Sequence, residues 1–422
     1  MNKLFITKML SFLVIAITIA SGATAQDTIK NDSLRKDALN VYFNCPYCDM
    51  DYMKKEITYI NYVRDQKDAQ LYIMVTEMST GGGGEEYSIY FIGQKEFTGK
   101  NDTLKYTSSP NDTDDEIRKV GNQMLKLGMM SYVAKTPLGK EININFNAPV
   151  GASEEIKDPW KSWVFSINGN GYMNGQEAIK YYYLYSYLDA SKVTEKMRLN
   201  FSASYDINQT KFEIDDSTTV ISHSDSKSIY GLYVGSLGDH WSAGGSVSAN
   251  SSTYSNIAFS ASFFPSIEYN LFKYAESTRR QLRFKYNIGI DDNKYIDTTI
   301  FNKTKEILCV HSLTISYKVI EKWGSISTSV YGSNYLHDFS KNSLSFNTNL
   351  SIRIFKGLSL TLYGNLQLIH DQIGLPKAGA TPEEILTQQK QLATQYYYYG
   401  SAGLTYTFGS IYNNVVNPRF GY

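Results

Sequence analysis

The chain is poor in the features that would anchor it by a helix, a lipid or a nucleic acid. Beyond residue 25 no run approaches the roughly 20 consecutive apolar residues that a membrane helix requires, so no helical anchor is expected. Cysteine is scarce, with three in 422 residues. None stands directly after the point where an export signal would be cut, which argues against a lipoprotein anchor. An excess of charge of one sign is also missing, since 41 basic residues face 41 acidic ones. Nothing in that balance suggests a nucleic-acid partner.

What is present begins with that export signal. Lys3 and Lys8 precede an apolar core from Met9 to Ala20, and Ala23-Thr24-Ala25 suits cleavage before Gln26. Residues 1–25 are therefore expected to be a secretory signal peptide, followed by a short N-terminal linker over 26–37. Aromatic residues are abundant, with 35 Tyr, 20 Phe and 4 Trp, which suits strands with aromatic girdles at membrane interfaces better than a soluble core.

From residue 160 to 408 apolar and polar residues alternate in short segments separated by turn-rich stretches. Met197, Leu199, Phe201, Ala203 and Tyr205 alternate with Arg198, Asn200, Ser202 and Ser204. Likewise Leu344, Phe346, Thr348, Leu350 and Ile352 alternate with Ser345, Asn347, Asn349 and Ser351. Period-two patterning with one apolar and one polar face is the signature of a transmembrane β-barrel. Strands are expected near 160–168, 178–190, 197–206, 228–237, 241–250, 256–269, 280–290, 306–319, 325–334, 343–355, 358–369 and 395–408. The connections alternate between short (191–196, 238–240, 270–279, 320–324, 356–357) and long (including 207–227, 291–305, 370–394). Outer-membrane barrels have short periplasmic turns and longer external loops. Within the longest loop, Thr381-Pro382-Glu383-Glu384 reads as a helix start that would lie over the mouth.

Residues 38–146 read as a small periplasmic α+β domain of order β-α-β-β-α, joined to the barrel by a Pro-containing linker over 147–159. A strand is expected from Ala38 to Asn44 and a helix from Asp49 to Tyr62, with Met53, Ile57 and Ile60 on one side. A hairpin over 69–78 and 85–93 turns at Gly81-Gly82-Gly83-Gly84. Thr113-Asp114-Asp115-Glu116 is a capping box leading a helix through Ile117, Val120, Met124 and Leu127 to Gly128. The fold expected is thus mainly β, an antiparallel barrel of about twelve strands preceded by this domain.

Cys45-Pro46-Tyr47-Cys48 falls between a strand and a helix, where the helix dipole lowers a thiol pKa. This is also the CPYC sequence of glutaredoxins, but the resemblance stops there, because the hairpin follows too early for that fold. A structural disulfide, a redox couple and a metal site all stay open, although two thiols without a nearby His make a poor metal set. Cys309 has lipid-facing parity.

Some outer-membrane lipid hydrolases pair Ser with His on the outer wall of a barrel. His311 has outward parity here, but Ser312 points the other way, so no catalytic residue is assigned. His337-Asp338 and His370-Asp371 end two strands that are separated by a third. They read as polar loop ends or as a divalent-metal site. No cofactor is expected.

Inward parity collects Arg198, Glu268, Arg283, Lys285, Lys318 and Arg353 as lumen-lining candidates. Charges of both signs there suit a selectivity ring or a salt-bridged filling.

Several stretches resemble a known family. They are Phe264-Pro265-Ser266-Ile267-Glu268-Tyr269-Asn270, Tyr274-Ala275-Glu276-Ser277-Thr278-Arg279-Arg280-Gln281-Leu282, Tyr335-Leu336-His337-Asp338, and the ending from Phe408 to Phe420. Asn61-Tyr62-Val63-Arg64-Asp65, the glycine run and the capping box match as well. The chain resembles uncharacterised outer-membrane barrels of Bacteroidetes and related phyla, akin to the salt-induced outer-membrane protein family. The resemblance implies an outer-membrane location and carries no activity to any residue. Gly403-Leu404-Thr405-Tyr406-Thr407-Phe408 also resembles the signal read by the barrel-assembly machinery, here followed by a periplasmic tail over 409–422. The expected role is a pore or envelope scaffold without catalysis, in contact with outer-membrane lipid, whose periplasmic domain is free to bind an envelope partner.

Overall fold

A computed structural model describes residues 36–81, 83–145, 158–213, 219–379 and 391–409. The expected signal peptide, most of the linker, the helix start at Thr381 and the C-terminal tail lie outside those residues.

Two sheets organise the chain. The first is five-stranded, in the order β2-β1-β3-β4-β5. Its strands are β1 (Leu39–Asn44), β2 (Ile60–Tyr62), β3 (Leu71–Ser79), β4 (Glu85–Gly93) and β5 (Asn101–Thr107), with helices α1 (Met50–Glu56) and α2 (Asp114–Val133). β1 pairs in parallel with β2 and β3, while β3, β4 and β5 form an antiparallel meander. Val41, Leu71, Ile73, Ile89 and Phe91 lie on one face and form, with Leu125, Met129 and Val133 of α2, the hydrophobic core.

The order is therefore β-α-β-β-β-β-α, which corrects the expected β-α-β-β-α in three places. The helix expected over 49–62 ends at Glu56. Ile57 and Ile60 are buried as expected, but the β-branched run Ile57-Thr58 disfavours helix, and Ile60–Tyr62 pairs with β1 instead. β5 escaped notice because it is an edge strand, short of apolar residues and largely exposed. α2 has the expected capping box at Thr113 and Glu116 but continues through Gly128 to Val133. Gly128 serves packing rather than termination, since a Cβ there would lie 2.0 Å from the Phe91 ring.

The second sheet has twelve antiparallel strands in sequence order. They are β6 (Trp163–Gly175), β7 (Ile179–Val193), β8 (Met197–Glu213), β9 (Thr219–Ser236), β10 (Trp241–Ser252), β11 (Ile257–Asn270), β12 (Arg280–Tyr295), β13 (Lys305–Glu321), β14 (Gly324–Tyr335), β15 (Asp338–Phe355), β16 (Leu358–Ile369) and β17 (Tyr396–Tyr406). Every expected strand is found. Several run further than expected toward the end with the longer connections, here called the loop end; the opposite end is the turn end. β8 and β9, for example, continue their ladder to Glu213 and Thr219. Apolar alternation marks only the middle of such a strand, and the backbone ladder continues past it.

One face carries Leu184, Leu188, Phe201, Phe263, Ile288, Ile290 and Leu313, all exposed. The opposite face carries Ser, Thr, Asn, Tyr and charge. Aromatic groups mark the turn end of the apolar face: Trp163 stacks with Phe165 and Phe201, and Trp241 lies against Tyr269. Among the described residues β6 and β17 are the two edges of the sheet.

Candidate functional site

The site of most interest is where the two sheets meet. Side chains alternate across a strand, so the face of the small sheet turned away from α2 carries Tyr42, Tyr72, Met74 and Tyr90. That face lies against the turn end of the large sheet. Tyr72 and Met74 are 0% and 1% exposed, and β3 is buried on both sides from Leu71 to Thr76.

Three tyrosines meet three cations of the rim. Arg353 stands 4.7 Å over the Tyr42 ring and donates a hydrogen bond to its hydroxyl. Lys322 is 5.6 Å over Tyr72, and Arg279 is 5.9 Å over Tyr90. Each such contact contributes about 0.5–1 kcal/mol when exposed and about 2 when desolvated. Polar contacts reinforce them. Lys356 pairs with Asp68 at 2.7 Å, the amide of Gly357 donates to Asp65 at 2.9 Å, and the Tyr90 hydroxyl bonds Thr278 at 3.0 Å.

The β3–β4 hairpin reaches the far side of the same rim. A Cβ on Gly81 would lie 2.2 Å from Cβ of Val193, at the end of β7, and one on Gly83 would lie 3.5 Å from Val164 of β6. Gly81 and Gly83 thus lie in close contact with the rim, and Gly83 has φ of +80°, which favours glycine. From Lys356 on one side to Val193 on the other, the small domain spans the turn end. Sequence reasoning missed this junction; the unbroken apolar run Leu71-Tyr72-Ile73-Met74-Val75, without alternation, was its available sign.

Between the domain and the rim lies a cavity of about 840 Å³, bordered by Cys45, Tyr47, Glu77, Lys318, Lys322 and Arg353. Burial raises the pKa of Glu77 and nearby Glu85 adds to this, while a hydrogen bond from Tyr47 and the charge of Lys318 oppose it. Burial lowers the pKa of Lys322. Cys45 and Cys48 are joined by a disulfide at this edge.

The six candidate charges all lie on the polar face, near the turn end of their strands. Glu268 accepts from Tyr274 at 3.0 Å, has Arg283 at 3.9 Å and stands opposite Lys285 in register. Lys318 and Arg353 border the cavity. Arg198, at the start of β8, is exposed and separate from the other five. Two groups therefore form at the turn end, Glu268 with Arg283 and Lys285, and Lys318 with Arg353.

The remaining candidates do not assemble. His311 faces the Tyr286 hydroxyl at 3.3 Å and the edge of Phe339, while Ser312 on the opposite face accepts from Asn287. His370 contacts Asn342, and Asp338 accepts from Ser340. No cluster of three His, Cys, Asp or Glu residues exists among the described residues. Cys309 is free and exposed.

The chain matches no family model and no curated protein. Among solved structures it is similar to a "NanC porin structure in rhombohedral crystal form", at 12% identity over 58% of this chain and 100% of the porin, with a TM-score of 0.29. That likeness is too slight to build on.

Proposed function

We propose that the large sheet closes into an outer-membrane barrel acting, without catalysis, as a passive pore, and that the small domain constricts its periplasmic mouth. An apolar outer face with aromatic groups at its turn end suits a bilayer. Hydrocarbon tolerates no open sheet edge, so insertion requires β6 to pair with β17. The resemblance to Bacteroidetes barrels and the Gly403–Phe408 stretch favour export and insertion by the barrel-assembly machinery, with the turn end in the periplasm.

The observation that carries the reading is the placement of the small sheet across the charged turn end, from Arg353 and Lys356 to Val193. Solute leaving the lumen would pass the cavity lined by Lys318 and Arg353, so their charge would select among ions.

Single-channel recording of the full chain in planar bilayers tests this. Tyr42→Ala combined with Asp68→Ala removes two anchors of the domain and is expected to raise conductance or open time, whereas Arg353→Gln alters ion preference. Silence from wild type and variant alike would defeat the pore and favour a filled barrel whose periplasmic domain binds an envelope partner.

A further inference from the structure

The polar face of the large sheet is divided into two unlike walls. On β10 and β11 it carries mainly small side chains, such as Ser246, Ser248, Ser260 and Ser262, with Lys285 and Asp291 on the neighbouring β12. On β7 it carries a ladder, Tyr181, Tyr183, Tyr185 and Tyr187, in strict alternation with the exposed Tyr182, Leu184 and Leu188 of the other face. Residues two apart on a strand are about 6.8 Å apart, so the ladder is roughly 20 Å long.

The rings are held in place. Tyr183 donates to Asp206 at 3.1 Å and Tyr187 to Asp189 at 3.0 Å. Asn200 donates to Asp189 at 2.6 Å. Tyr185 stacks on Tyr187 with centroids 6.1 Å apart, and Tyr172 of β6 lies edge-on to Tyr181 at 5.9 Å. At the other edge of the sheet, Tyr397 and Tyr399 share the polar face with Asn365, Gln367 and Tyr363. Tyr172, Tyr397 and Tyr399 are each more than half exposed. Pairing of β6 with β17 would join the two groups into one aromatic wall facing the serine wall.

We propose that this wall is a binding track for neutral oligosaccharides, an inference that rests on the pore reading for its closed lumen. A pyranose ring has an apolar C–H face and a polar rim. Aligned tyrosine rings match the face, while carboxylates and amides at their margins accept and donate to the rim. Anionic ligands fit less well, because Asp189 and Asp206 stand among the rings. The serine wall opposite leaves space for a chain of sugars.

Equilibrium dialysis of the full-length protein in detergent micelles, with maltohexaose and cellohexaose as probes, reads binding without requiring conductance. Saturable binding of at least one probe is expected, weakened about tenfold by Tyr183→Ala with Tyr185→Ala. Tyr183→Phe with Tyr187→Phe keeps the rings and is expected to retain binding within about threefold. Tyr182→Leu, on the apolar face, is expected to change nothing. If the alanine pair does not fold, Tyr397→Ser with Tyr399→Ser, at exposed edge positions, is read in its place and is expected to weaken binding.

Binding of neither probe by wild type, or binding indifferent to loss of the rings, overturns the inference. Parallel conductance separates the two readings. Ring-dependent binding in a silent protein supports the track and sinks the pore, whereas a conducting protein that binds no sugar does the reverse.

Discussion

In the small domain Leu39, Leu71, Ile73 and Phe91 are fully buried, whereas in the large sheet Leu184, Leu188, Ile288, Ile290 and Leu366 are each between 43% and 50% exposed. Both regions alternate apolar with polar residues along their strands. In one the apolar face closes on α2, and the polar-side tyrosines meet the rim. In the other it closes on nothing among the described residues. Apolar residues exposed along a whole sheet face are unusual for a water-soluble monomer and fit a hydrocarbon surrounding without a second helix layer. Period alone gives strands, and the solvent decides which face is inside.

The largest expected effect tests the buried half of that contrast. Phe91→Ala removes a ring that is 0% exposed and packed against Gly128, so it should destabilise the small domain by about 3–5 kcal/mol. Denaturant unfolding of that domain, followed in the full chain, reads the shift. A loss below about 1 kcal/mol would mean that α2 and the sheet are not packed as described.

The exposed half is tested on β12. Ile288→Arg places charge at the middle of the apolar face and should cost roughly 2–4 kcal/mol of insertion stability if that face meets lipid. Ser327→Arg, on the polar face of β14, should stay within about 0.5 kcal/mol. Folding into liposomes, read by heat-modified gel mobility, compares them. Equal tolerance of the two arginines would remove the membrane assignment.

These contrasts also explain what the sequence disclosed. The twelve strands were legible because each holds a stretch of clean alternation, as in Leu344 to Ile352. Their far ends were not, because the ladder of β8 and β9 persists where both faces turn polar. In the small domain β5 lacked apolar residues to announce it, and Gly128 looked like a helix stop because the sequence does not show that Phe91 occupies the space of its missing side chain. The parity of the charges at Arg283 and Arg353 could be read. The meeting of Arg353 with Tyr42 at the junction could not, since that contact joins residues 311 positions apart.

A smaller effect is expected where the two regions meet. The Cys45–Cys48 disulfide closes a very short loop, so Cys45→Ser should cost roughly 2 kcal/mol by restoring freedom to the unfolded chain. Unfolding of the wild type with and without reductant should reproduce the shift. A change in conductance larger than the change in stability would tie the disulfide to the mouth itself.

The smallest effect is a pH dependence at the cavity. Glu77 has its carboxyl pKa raised above the ordinary 4.5, first by burial and then by Glu85. The folded state therefore holds this proton more tightly than the unfolded state. Below pH about 4.5 the group is protonated in both states and imposes no penalty. As pH rises through the folded-state value the partly buried carboxyl must accept a charge, and stability falls. Glu77→Gln should accordingly stabilise the small domain more at pH 7 than at pH 4. Because Lys318 of the large sheet offsets part of the penalty, Lys318→Ala should steepen the same decline. Denaturation midpoints of wild type and the two variants at both pH values read this directly. If Lys318→Ala leaves the slope of the small domain unchanged, the two regions do not share an electrostatic junction across the cavity.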